Sequence, residues 1–226
     1  MTGAIIEAHD LVKRFGPSPA LDGASFAAAA GEMIAVMGPS GSGKSTLLHC
    51  LAGVLVPDAG RVYFDGRRLD NLAAGDRAEI RRTSLGFVFQ FGQLVPELPA
   101  RENVMLPLVL GGMSRRAARV EADAWLGRVG VPELGDRLPG ELSGGQGQRV
   151  AVARALVHRP VVVFADEPTG ALDSLAGEAV MELLTESARE HGAALVIVTH
   201  EPRVAAYADR EVFVRDGATT AAGLVA

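Results

Sequence analysis

Three short apolar runs punctuate the chain, and each ends on polar residues able to do phosphate chemistry. Ile34-Ala35-Val36-Met37 leads into Gly38-Pro39-Ser40-Gly41-Ser42-Gly43-Lys44-Ser45, Val161-Val162-Val163-Phe164-Ala165 into Asp166-Glu167, and Leu195-Val196-Ile197-Val198 into Thr199-His200. Runs this short, rich in Val and Ile and without alternation, predict strands buried on both faces of a parallel sheet. Ligands of open α/β sheets bind beyond the carboxyl ends of such strands, so the polar residues after the three runs predict one shared site. Between the first two runs the pattern turns helical. Ser114 to Gly127 is rich in helix formers, keeps Trp125 and Leu126 on its apolar side, and ends with Gly127 and Gly130. Arg61-Val62-Tyr63-Phe64 before Asp65-Gly66 predicts a strand entering a tight turn. With Ala4–Leu11 and Ala20–Ala27 it forms an expected antiparallel β portion beside the parallel core. The expectation is one α/β domain with a helical insertion at roughly residues 91–158.

Composition narrows the function more than the fold. The 226 residues suit one well-packed domain, and 48% apolar with 22% charged residues is ordinary globular usage. A net charge of −5 argues against a nucleic-acid partner, which calls for a basic surface. No apolar run approaches the roughly 18–20 residues that cross a bilayer, and Met1–Glu7 lacks the pattern of a secretory signal. A role at a membrane must therefore come through a partner. The single cysteine, Cys50, allows no internal disulfide and sits in the apolar series Leu47, Leu48, Leu51, which predicts a buried structural thiol.

Gly38 to Ser45 fits the pattern G-x-x-x-x-G-K-[ST] between a predicted strand and a predicted helix. Glycines let the backbone wrap an anion with several N–H groups pointing inward, and the helix that follows adds its positive end. In such a loop Lys44 reaches the β- and γ-phosphates and the Ser45 hydroxyl ligates Mg²⁺. This predicts a nucleoside-triphosphate site without separating kinases, GTPases and transporters. Asp166, closing an apolar strand, is expected to hold Mg²⁺, and Glu167 to orient or deprotonate the attacking water. His200 after the third strand is placed to donate to the γ-phosphate. His9, His49, His158 and His191 lack metal-ligand spacing and receive no role.

Leu142-Ser143-Gly144-Gly145-Gln146 settles the class, because it resembles the signature sequence of ABC ATPases. Ser143 followed three residues later by Gln146 has the form of a capping box, and the glycines between them clear side chains from the helix start. The resemblance covers nearly the whole chain in the family's order. It implies the fold of a P-loop NTPase core with a mostly parallel sheet, a flanking antiparallel β portion and a helical subdomain. The expected division is a single cassette, 1–226, with an ATP-binding core of 1–90 and 159–226 and the subdomain at 91–158.

The resemblance also implies roles residue by residue. ATP would be bound by Phe15, which replaces a more usual tyrosine stacked on adenine, and by Gly38, Pro39, Ser40, Gly41, Ser42, Gly43, Lys44, Ser45 and Thr46. Ser143, Gly144, Gly145 and Gln146 would meet the γ-phosphate held by a second copy of the chain. Lys44, Glu167 and His200 would be catalytic, Ser45, Gln90 and Asp166 would hold the metal, and Asp173 in Ala171-Leu172-Asp173 would serve communication between subunits. The implied cofactors are ATP and Mg²⁺. The implied partners are a second copy in an ATP-sandwich homodimer and a separate membrane-spanning permease, docked near Phe91–Leu98. The implied location is cytoplasmic, on the inner face of the cell membrane through that permease.

Gly86–Gln90, Leu94–Leu98, Glu102–Val104 and Ala165–Asp173 are similar to the macrolide-export, lipoprotein-release and antimicrobial-peptide-resistance branch. That branch implies export or extraction of a hydrophobic or peptide-like substrate, or a non-transport, force-transmitting role in cell-envelope remodelling. A soluble ABC ATPase acting on DNA or ribosomes fits less well, because one cassette is present and sustained heptads are absent. Two departures stand out: Pro99 where the branch has a capping threonine, and Gly147 where the family mostly has glutamine.

Overall fold

The computed structural model describes residues 3–90 and 92–222. They form two compact units, Met1–Arg81 with Ala194–Ala226, and Arg82–Ala193. In chain order the strands and helices are β1 (Ala4–Arg14), β2 (Pro19–Ala29), β3 (Met33–Met37), α1 (Lys44–Leu51), β4 (Ala59–Phe64), β5 (Arg67–Arg68) and α2 (Ala74–Ser84). There follow β6 (Leu85–Phe89), α3 (Ala100–Leu110), α4 (Arg115–Arg128), α5 (Gly144–Leu156), β7 (Val162–Asp166) and α6 (Ser174–His191). The last elements are β8 (Ala194–Val198), α7 (Pro202–Ala205), β9 (Arg210–Arg215) and β10 (Ala218–Ala222).

In the first unit β1 pairs antiparallel with β2 on one side and β4 on the other. Ile6 and Ala8 of β1 are buried, the alternation expected of a sheet covered on one face, and a register shift between Ala8 and Leu11 turns Leu11 inward as well. β4 turns into β5 through Asp65 (φ 48°) and Gly66 (φ 70°), two successive left-handed residues whose twist matches a hairpin. β3 lies between β8 and β9, parallel to both, with Val36 opposite Val198 and Val212. Every residue of β3 and β8 is buried, which explains their unbroken apolar runs. Fully burying each large aliphatic side chain contributes about 1.5–3 kcal/mol. α1 buries Leu47, Leu48, Cys50 and Leu51, and burial pushes the Cys50 thiol pKa up to about 12.

In the second unit β6 and β7 are parallel neighbours, with Phe89 opposite Asp166. The predicted strand is one residue out of phase with the structure: Val161 stays 42% exposed before β7, and Asp166 is its last residue. α4 begins on Ser114, whose side chain accepts from Ala117 N, and it buries Trp125 and Leu126. It does not stop at Gly127. The helix continues to Arg128, and Gly130 (φ 73°) is where the chain adopts the left-handed conformation that ends it.

Pro99 is explained by its neighbours. It offers α3 no side-chain cap, but Ala100 N donates to Arg137 O at 2.8 Å and Arg101 N to Gly135 O at 2.9 Å. Backbone carbonyls from a distant turn satisfy the helix's opening amides, which replaces the capping hydroxyl. The overall class is the α/β arrangement implied by the sequence, with parallel strands in both units and an antiparallel β portion in the first. Among the described residues no helix is long and apolar enough to cross a membrane.

Candidate functional site

The phosphate loop of the first unit is shaped by backbone pressed against it. A Cβ on Gly38 (φ 148°) would lie 2.1 Å from Val214 O, and one on Gly43 (φ 108°) 2.2 Å from Ala20 O. Neither position admits a side chain. The turn between β9 and β10 fastens the loop as well: Gly217 N donates to Ser42 O at 3.0 Å, while Gly217 O accepts from Asp22 N at 2.9 Å. Lys44 is buried and its ammonium turns into the loop, donating to Gly38 O at 2.8 Å and Pro39 O at 2.9 Å. The buried Ser42 hydroxyl has no hydrogen-bond partner among the described residues. Ser40, Gly41 and Ser45 are exposed and Thr46 is half-buried.

α1 starts at Gly43 with no side-chain cap and no acid in its first turn. Its opening amides and the positive end of its dipole are left for an external anion. A backbone cradle that a Cβ would fill, with an ammonium inside it, fits a nucleotide phosphate chain.

Two further predicted residues belong to this unit. His200 follows β8 and lines a cavity of about 570 Å³ with Met37, Gly38, Pro39 and Phe213, so it stands at the loop. Phe15 is 58% exposed beyond β1. The Lys13 ammonium lies 5.8 Å from its ring centroid and is held by Asp58 at 2.9 Å. The Lys13 hydrogen bond, with a second from Arg14 N, holds the Asp58 carboxyl below the usual range. At that exposure the ring is not core.

The second unit gathers the remaining predicted residues. Register between β6 and β7 puts Gln90 and Glu167 directly beyond matching ends of adjacent strands. Glu167 has φ 48°, a left-handed backbone that costs a residue with a side chain on the order of 1–3 kcal/mol and concentrates at functional sites. Two turns follow, closed by Gly170 N to Glu167 O at 3.1 Å and Leu172 N to Thr169 O at 2.9 Å. Gln90 lies against this segment, for a Cβ on Gly170 would fall 2.8 Å from its Nε2. Asp173 then caps α6, accepting from Ala176 N at 2.9 Å.

α5 opens with the expected capping box: Ser143 Oγ accepts from Gln146 N at 3.3 Å and Gln146 Oε1 accepts from Ser143 N at 2.9 Å. Gly144 and Gly145 face Leu172 and Ala176, each with room for ordinary contact at 3.5 Å from a built Cβ. The signature turn and the segment leading into α6 are therefore neighbours.

The family profile described as "ABC transporter" matches residues 21–170. This chain belongs to the ABC transporter family. It is an ABC-type ATPase, the ATP-binding subunit of a transporter. The chain is 46% identical over 218 residues to the lipoprotein-releasing system ATP-binding protein LolD of Bordetella avium, covering 95% of each. It is 46% identical over 187 residues to LolD of Shewanella oneidensis, covering 83% of this chain and 81% of that one. Among solved structures it is similar to a dimeric post-hydrolysis state of the ATP-binding cassette MJ0796 bound to ADP and Pi. That likeness has a TM-score of 0.88 and 38% identity, covering 97% of this chain and 100% of the other. It is also similar to cbiO1 of Clostridium perfringens, with a TM-score of 0.85 and 31% identity over 96% of this chain and 87% of the other.

Some residues shape this ABC cassette without belonging to its phosphate chemistry. Asn103, fully buried, accepts from Val95 N at 2.7 Å and donates to Val95 O and Leu98 O, knotting the loop before α3. On α5, Gln148 binds the carbonyl of Phe89 at the end of β6, and Arg154 binds those of Gly92 and Gln93 beyond it. A polar side chain interrupting an apolar helix face was the available clue for both. His158 is also structural: burial lowers its pKa, and its Nε2 meets Leu85 O at 3.0 Å. Of the loop expected to dock a permease, Phe91 lies outside the described residues, and Leu94, Val95 and Leu98 are half-buried.

Proposed function

We propose that this chain powers a lipoprotein-releasing or closely similar extraction machine, driving a separate membrane-spanning permease by ATP-dependent closure of two copies. The observation that carries this reading is 46% identity, over nearly the full length of both chains, to a lipoprotein-releasing system ATP-binding protein. The chain works as a single cassette at the inner face of the cell membrane, with 91–158 as a helical subdomain inserted in a core of 1–90 and 159–226.

Phe15 stacks on the adenine, and the amides of residues 38–46 with the Lys44 ammonium hold the phosphates. Ser45, Gln90 and Asp166 supply oxygen donors, the chemistry a hard divalent cation takes. Mg²⁺ bound there would neutralise charge developing on the phosphate oxygens. Ser143 to Gln146 of one copy meets the γ-phosphate bound by the other. Glu167 accepts a proton from the attacking water, and His200 steadies the γ-phosphate by donating to it. Asp173 lies at the contact between copies. Closure moves the loop 91–98, which carries the permease.

The test is Glu167→Gln. The amide keeps the shape, loses the base and removes a negative charge, so ATP with Mg²⁺ is expected to trap a stable dimer on gel filtration while turnover falls on the order of a hundredfold or more. An unshifted monomer peak together with normal turnover removes Glu167 from this role. Co-purification from membranes with a protein carrying few membrane helices separates this machine from a soluble ABC ATPase.

A further inference from the structure

The segment between β6 and α3 leaves the strand as a loop and yet is held at several points. At its root, on the last residue of β6, Phe89 O accepts from Gln148 Nε2 of α5, 2% exposed, at 2.9 Å. About one and two-thirds helical turns further along, Arg154 donates to Gly92 O at 2.7 Å and to Gln93 O at 2.9 Å. The loop lies directly on the helix, since a Cβ on Gly92 would come 3.3 Å from Gly147 O and 3.5 Å from the Ala151 methyl. Gly92 and Gln93 both take left-handed backbone, φ 66° and 45°, and Gln93 does so at a cost only Gly escapes. Its far end is knotted to α3 by Asn103.

Arg154 is an unusual choice for an ordinary packing role. It has no carboxylate partner among the described residues, and burial lowers its pKa. A desolvated guanidinium held by carbonyls alone costs stability relative to an apolar side chain of similar volume. What it provides in return is a rigid planar fork able to grip two successive carbonyls at once. Six residues separate Gln148 from Arg154, about 9 Å along the axis. One anchor holds the end of β6 and the other the loop beyond it, so together they fix the angle of this segment on α5 as well as its distance.

We infer that Arg154, gripping the loop that follows Gln90, and Gln148, gripping the end of β6 just before it, are positioning residues that strap this segment to the helix beginning at Ser143, so that loop and helix move as one body. This rests on the proposed function, which gives the loop to the permease and Ser143 to the nucleotide of the other copy. Under it, a push on residues 92–98 reaches Ser143 through α5, and closure around ATP is felt in the loop.

Hydrogen exchange on the full chain carrying Glu167→Gln tests this, with and without ATP and Mg²⁺. The parent is expected to slow exchange at residues 92–95 on the order of tenfold when ATP drives dimerisation, since closure then steadies strapped loop and helix together. Adding Gln148→Met, which keeps volume and loses the donor, or Arg154→Gln is expected to leave the ATP-driven dimer on gel filtration. The slowing at 92–95 should then fall below about twofold, the loop having become independent of the helix. Arg154→Lys, reaching one carbonyl, should fall between. Undiminished slowing in these variants overturns the inference, as does slowing that merely tracks each variant's melting temperature. If Arg154→Gln does not fold, Arg154→Lys decides, with Gln148→Met reporting the anchor at the end of β6. A parent that binds ATP without dimerising condemns the proposed function instead, so the two failures are distinguishable.

Discussion

α1 and α5 both begin at glycine-rich turns, and they complete their first turns in opposite ways. α1 begins on a glycine with no side-chain cap, and backbone from β2, β9 and the β9–β10 turn holds its loop in shape. α5 closes on itself, Ser143 and Gln146 satisfying one another's amides. The first is a cradle maintained from outside that leaves its own donors for a ligand. The second is a self-sufficient helix start, stable without nucleotide, whose exposed serine hydroxyl can still donate. A mutation at α1 should therefore remove a ligand, and one at α5 should trade local stability against an encounter between copies.

Lys44→Ala breaks the contrast hardest. It removes the Lys44 ammonium from the cradle, and ATP affinity is expected to fall on the order of a hundredfold or more, as expected for losing a charge-assisted phosphate contact in a partly desolvated site. Titration with a fluorescent ATP analogue measures this. Affinity within a few-fold of the parent would show that the amides alone carry the site.

Changes at Ser143 separate the cap from the ligand. Ser143→Ala should cost about 1 kcal/mol, whereas Ser143→Gly should cost only a few tenths. For a chain of this size 1 kcal/mol is about 2–4 °C in melting midpoint. In a Glu167→Gln background both variants should bind ATP normally and fail to form the ATP-driven dimer. A glycine variant that dimerises like its parent would confine the hydroxyl to capping.

The smallest effect concerns Gly147, inside the first turns of the same helix. Nothing lies within 4 Å of a Cβ built there, so no close approach demands glycine. Gly147→Gln should stabilise by somewhat under about 1 kcal/mol, the helix cost of glycine, and raise the midpoint by a degree or two without altering ATP-dependent dimerisation. Thermal melting checks it. A lower midpoint would mean that Gly147 answers to a contact outside the single chain.

Legibility followed the range of the interactions involved. The strands β3, β7 and β8, the tight turn at Asp65-Gly66, the buried Cys50 and the Ser143–Gln146 box all depend on neighbours a few residues away. Their physics is written in spacing. The end of α4 was misjudged because two glycines competed to stop it, and only backbone conformation at Gly130 decides between them. Pro99 looked like a lost cap because the carbonyls replacing it come from residues 135 and 137, thirty-odd positions on.

The sequence by itself determined the chemistry this protein carries: a phosphate loop, a strand-end carboxylate pair and a signature helix start, in the order of an ABC ATPase. Such motifs are local, because an anion is gripped by consecutive amides and a cap closes within one turn. Only the tertiary structure decided what holds them in place. Val214 and Ala20 make Gly38 and Gly43 obligatory, Gly217 fastens Ser42, Gln148 holds the end of β6, and Arg154 ties the loop after Gln90 to the signature helix. The reason is physical: backbone carbonyls are the same at every residue, so which of them arrives beside a loop is set by packing and leaves no mark in the residue types.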